Sequence, residues 1–128
     1  MRTFRYPALW AGLAAFWMGL IIWGTLTSHV PEGAPPNSDK LIHFVAYGFV
    51  GGWFTSMLLR GWHWPVAVCL ILFGCGMEVA QYFTGVRSMD IVDAAANSIG
   101  VILGTTLART RLGDMMGWVD TRLGDASG

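Results

Sequence analysis

The stretch Ala8–Leu26, ALWAGLAAFWMGLIIWGTL, holds no charged side chain and decides how the rest of the chain must be read. As a helix rising 1.5 Å per residue it reaches nearly across a hydrocarbon core of roughly 30 Å. Arg2 and Arg5 precede it, as basic residues precede a secretory signal. The run is too long for the usual cleavable h-region of about 7–15 residues, however, and no small-x-small cleavage pattern follows, so it reads as a transmembrane span.

Three further apolar stretches lie beyond it, at Leu41–Leu59, Trp64–Phe83 and Ile91–Ala108. Backbone polar groups in lipid must be satisfied internally, and no ten-residue alternation suggests barrel strands, so these spans are expected to be helices. The expectation is an all-α integral membrane bundle of four transmembrane helices over residues 1–110. Residues 111–128 follow as a short amphipathic or disordered cytoplasmic tail. Composition agrees: 54% of the residues are hydrophobic, 12% are charged, and the mean hydropathy is +0.50. Soluble domains carry roughly twice that charge, so polar surface here is too scarce to cover a globule.

The connections are short and polar. Ser28 to Lys40 contains Pro31, Gly33, Pro35, Pro36 and Asn37, which break helices and mark an exposed loop. Arg60–His63 is a tight turn. Small residues four apart, Gly48 with Gly52, Gly100 with Gly104 and Ala15 with Gly19, predict close helix approaches. Placing the N-terminus inside puts Arg2, Arg5, Arg60, Arg109, Arg111 and Arg122 inside and only Lys40 and Arg87 outside, which favours N-in and C-in. Trp10, Trp62 and Trp64 then form an inner aromatic belt. In the tail, Leu112, Met116, Val119 and Leu123 recur at helical spacing, a surface-lying face that Gly113 and Gly117 weaken.

This topology gathers polar residues at one outer level, where helix 2 begins, helix 3 ends and helix 4 begins. Asp39, His43 and Tyr47 share a stripe on helix 2; Glu78 and Gln81 lie about a turn apart on helix 3; Asp90, Asp93 and Asn97 follow one face of helix 4. Arg87 and Ser88 sit in the hairpin between helices 3 and 4, and Lys40 approaches from the first loop. Asp39 and Asp90 are expected to cap their helices. Glu78, inside an apolar span, needs a partner, for which Arg87 or His43 is the expectation. The binding set is therefore Asp39, Lys40, His43, Tyr47, Glu78, Gln81, Arg87, Ser88, Asp90, Asp93 and Asn97. His43, Glu78 and Asp93 are the candidates for any catalysis, with His43 as general acid or base.

Other chemistries find less support. Net charge is zero and the basic residues are scattered, so nucleic acid is not expected as a partner. Cys69 and Cys75 stand six apart in one apolar run, beyond disulfide reach. One imidazole with the carboxylates of Glu78, Asp90 and Asp93 is a conceivable divalent-ion set, but no HExxH-type pairing occurs and Arg87 competes for the same carboxylates. No metal and no cofactor are expected.

These polar positions resemble the VanZ-like family of small bacterial membrane proteins. The resemblance runs from about Asp39 to Gly104 through Asp39-Lys40-Leu41-Ile42-His43-Phe44 with Tyr47, Glu78-Val79-Ala80-Gln81, and Arg87-Ser88-Met89-Asp90 with Asp93, Asn97, Gly100 and Gly104. The glycine-rich Gly74-Cys75-Gly76-Met77 departs from the larger aliphatic residues expected there. The family's founding member is associated with resistance to the glycopeptide teicoplanin, which implies a connection with the cell envelope without supplying a biochemical activity. The expected location is the bacterial cytoplasmic (inner) membrane, multi-pass, with membrane lipids or a lipid-linked envelope precursor as partner and a homo-oligomer left open. Three functions compete: binding of an anionic lipid or lipid-linked precursor, a small membrane enzyme acting on such a lipid, and a structural or assembly partner.

Overall fold

The computed structural model describes residues 2–27, 33, 35, 37–85 and 90–126. These residues form five α-helices in order: α1 (Pro7–Thr27), α2 (Ser38–Met57), α3 (His63–Thr84), α4 (Ile91–Ala108) and α5 (Met115–Ala126). Single 3-10 turns, Arg60–Trp62 and Arg111–Asp114, lead into α3 and α5. No strand occurs among the described residues. The chain is all-α, as its apolar spans require.

Among the described residues, three segments are long and apolar enough to cross a bilayer: Pro7–Thr27, Arg60–Thr84 and Ile91–Ala108. Sequence reading expected four. Helix α2 is long enough, at 20 residues, but less apolar, because one side of it carries Lys40, His43, Tyr47 and glycines while Leu41, Ile42, Val45 and Phe49 are exposed. A helix whose inward face is polar and small scores low on average hydropathy even when its outward face is fully apolar. The exterior elsewhere is equally apolar, with Phe16, Trp23, Leu72, Phe83, Ile91 and Ile99 all exposed. Contiguous apolar surface on this scale marks a membrane protein.

The central pair is α2 and α4, and glycine sets their separation. A Cβ on Gly51 would lie 2.9 Å from the Val101 carbonyl oxygen, and one on Gly48 would lie 3.3 Å from that of Gly100. A Cβ on Gly104 would overlap the Gly48 carbonyl. The two glycine pairs expected to let backbones approach therefore do so, against each other, and a Thr55–Thr105 hydroxyl bond of 3.3 Å joins the same helices further along. Ala15 and Gly19 do not follow suit. Both are exposed, and a Cβ on Gly19 would meet nothing within 4 Å. Helix α1 packs instead by large side chains: Trp17, Met18 and Ile21 lie against a core of Tyr47, Val50, Ala67, Leu70 and Val101.

A second core, Trp10, Ala14, Met57 and Met116, closes the other end of the bundle. It corrects one expectation and selects between the two readings of the tail. Trp10 is buried rather than part of an interfacial belt, whereas Trp62 and Trp64 are exposed as expected, with Arg109 stacked 5.4 Å over Trp64. The tail is an ordered helix: Met116 and Val119 turn inward, Leu112 and Leu123 remain exposed, and buried Asp120 binds the start of the chain. Its carboxylate accepts hydrogen bonds from the backbone N–H of Arg5 (2.6 Å) and Tyr6 (3.2 Å) and from the Trp10 indole (2.8 Å).

Candidate functional site

The start of α2, the end of α3 and the start of α4 meet at one end of the bundle, as the polar pattern required. Lys40, in the first turn of α2, reaches across to α4 and donates to Asp90 Oδ2 at 2.6 Å and Asp93 Oδ1 at 2.8 Å. Asp90 is also the N-cap of α4, its Oδ1 accepting from the Val92 N–H at 2.8 Å. One carboxylate thus caps a helix and anchors an ammonium, a charge-assisted arrangement stronger than either neutral bond. Asp39 differs from expectation. The cap position of α2 belongs to Asn37, in the left-handed region at φ 64° and without a side-chain cap bond, and Asp39 lies in the first turn, where its charge still meets the positive end of the helix.

One turn deeper, His43 of α2, Glu78 of α3 and Asp93 of α4 converge. A ring nitrogen and one oxygen from each carboxylate all lie within 4.8 Å of one another. The residues are buried, at 8%, 1% and 1% exposure. Asn97, one turn further along α4, places its amide nitrogen 3.5 Å from Glu78 Oε1. Tyr47 stacks beneath His43, with ring centroids 6.5 Å apart and planes 21° from parallel. The glycine-rich departure on α3 now has a reason: a Cβ on Gly74 would come within 3.0 Å of the Tyr47 ring and 3.3 Å of Asn97 Cβ. Gly74 makes room for both side chains, while Gly76 faces open space.

Of the two partners expected for Glu78, His43 is beside it, and Arg87 lies outside the described residues, as does Ser88. Gln81 is drawn away from the cluster. Its amide nitrogen donates to the Thr25 carbonyl at 2.8 Å, tying the end of α3 to the end of α1. Sequence reading missed Thr25, a buried residue at the close of an apolar run whose contribution is a backbone oxygen that no residue type announces.

Beside the cluster, a groove of about 700 Å³ runs between α1 and α2. Its walls are apolar, with Trp17, Leu20 and Ile21 on one side and Leu41, Val45 and Phe49 on the other. His43 and Tyr47 form its polar edge. An apolar channel with a few convergent polar groups at one side is the usual form of a small-molecule site. At the opposite end of the bundle, a second cavity of about 410 Å³ is bordered by Arg2, Arg60, His63 and Arg109.

A small bundle of apolar helices with a conjoined polar cluster at one end is the class of membrane protein that these features define. The family model described as VanZ/LLP1 matches residues 13–112, and the chain belongs to that family. The match extends well beyond the Asp39–Gly104 segment that carries the polar signature and takes in most of α1. No curated protein and no solved structure matches the chain.

Proposed function

We propose that this VanZ-family protein binds an amphiphile, an anionic lipid or lipid-linked cell-envelope precursor, with its chain in the α1–α2 groove and its head beside His43 and Tyr47. The observation that carries the reading is the continuity of the apolar groove with the buried polar cluster. Such a site holds a chain and a head together, the two requirements of lipid recognition. Lys40 is already held by Asp90 and Asp93, so in this reading it orients the acidic residues; Arg87, which lies outside the described residues, is assigned the anionic head from the sequence pattern alone. The setting we propose is the bacterial cytoplasmic membrane, crossed by all four long helices with both ends of the chain inside. A role in glycopeptide resistance belongs to the same proposal.

The test is lipid retention in native mass spectra of purified protein, against phosphatidylglycerol and a polyprenyl phosphate. Ala46→Trp puts a large ring into the groove without touching the cluster and is expected to cut retention at least tenfold. Retention equal to wild type would discard the groove. Arg87→Lys is expected to weaken binding of the phosphate head selectively, since a single ammonium does not replace a planar two-pronged donor.

A second reading is favoured by a separate observation: His43 stands among two buried carboxylates, the arrangement that fixes an imidazole for proton transfer. In that reading the protein is a small membrane enzyme acting on the same lipid, with His43 as acid or base and Glu78 or Asp93 orienting it. Turnover of a lipid-linked substrate that a His43→Ala variant lacks supports it; equal rates in the two remove it.

A further inference from the structure

We infer that His43, Glu78 and Asp93 form a binding site for one divalent cation of the Zn²⁺ or Mn²⁺ type. The three donor atoms come from three different helices and lie within 4.8 Å of one another. An ion with bonds of about 2.0–2.2 Å holds its ligand atoms roughly 3–4 Å apart, so a small inward movement of side chains completes the contact. No spacing within one helix could have announced this set. The sequence pattern lacked a zinc motif because the ligands are assembled by packing.

Two observations beyond the acidic cluster point to a ligand. Asn97 is 1% exposed, its amide nitrogen adjoins Glu78, and its carbonyl oxygen has no hydrogen-bond partner among the described residues. The Tyr47 hydroxyl, also buried, likewise has none. Buried oxygens without partners are costly unless something occupies the space they face.

The ligand chemistry selects the ion. One imidazole with two carboxylates suits borderline cations such as Zn²⁺ and Mn²⁺, whereas Mg²⁺ prefers oxygen donors alone and keeps its waters. Three protein ligands leave a coordination position open, and one of the three, His43, also lines the groove. The inference is independent of lipid binding, since an ion held here would bind whether or not the groove is filled.

The experiment uses untagged full-length protein in detergent, stripped with a chelator and dialysed against Zn²⁺ or Mn²⁺, with bound metal counted by mass spectrometry. One ion per chain is expected, together with a saturable rise in melting temperature. His43→Ala and Glu78→Gln should each weaken binding at least tenfold, while Asp114→Asn, at the other end, should bind as wild type does. Co²⁺ substitution supplies a readout on the wild-type protein alone: visible absorption bands appear if an imidazole and carboxylates enclose the ion. Less than one ion per wild-type chain, or uptake that survives the His43 and Glu78 changes in folded protein, overturns the site.

Discussion

Asp120 does more for the fold than its position in a polar tail suggested. Burial pushes its carboxyl group up, but the backbone N–H of Arg5, the Trp10 indole, the backbone N–H of Tyr6 and the nearby Arg5 charge outweigh that, and the net shift is downward. A carboxyl held below its unfolded value stabilises the protein fully above that value, about 3.9, and loses the contribution as pH falls through the folded one. The apparent melting temperature of wild type should therefore drop below about pH 4 more steeply than that of Asp120→Asn. At neutral pH Asp120→Ala strands three donors and should lower the melting temperature by about 5 °C or more. Thermal scans across pH check both. At the same scale, the polar cluster was legible in the sequence because charged residues inside apolar runs have few explanations. His43, Glu78 and Asp93 could be named for that reason. Asp120 could not, because an aspartate in an amphipathic tail has its ordinary place in water, and its donors, two backbone groups and an indole, lie over a hundred positions away.

Among the helices, the α2–α4 contact is where a single methyl group matters most. A Cβ on Gly104 would drive into backbone of α2 rather than into a side chain that can turn aside. Gly104→Ala is expected to cost roughly 1–3 kcal/mol at least, whereas Gly19→Ala, facing open space, should be neutral or slightly stabilising. Melting of the two variants in the same detergent tests the contrast. The same packing explains what could and could not be read at this level. Pairs of glycines four apart announced that helices approach closely, but not which helices, and Ala15 with Gly19 had an identical pattern and meets no neighbour. Helix α2 was legible as a helix, yet its hydropathy falls short of its neighbours' because its inward face carries the site. Its first turn begins at Ser38, three residues before the apolar run, and takes in Asp39 and also Lys40, which reaches the carboxylates of Asp90 and Asp93.

Across the whole molecule, the basic residues are unevenly placed. Lys40 stands with the carboxylates Asp39, Glu78, Asp90 and Asp93 at one end, while Arg2, Arg60 and Arg109 border the cavity at the other, beside Asp114. That polarity supports the orientation proposed above, with the arginine end inside. In a background with Cys69 and Cys75 replaced, single cysteines at Asn37 and Val86 should react with an impermeant maleimide added to intact cells. Cysteines at Arg60 and Asp125 should react only after permeabilisation. Labelling of Arg60 from outside would invert the arrangement. The all-α character and the long apolar helices were readable from length and hydropathy alone, whereas the closure of the bundle by α5 depends on contacts that no local pattern encodes. That closure orders events at the ribosome. The first helix is made long before residue 120, so its leading turn waits without its anchor until α5 emerges, and a chain stalled after α4 would leave Arg5, Tyr6 and Trp10 without the carboxylate they donate to.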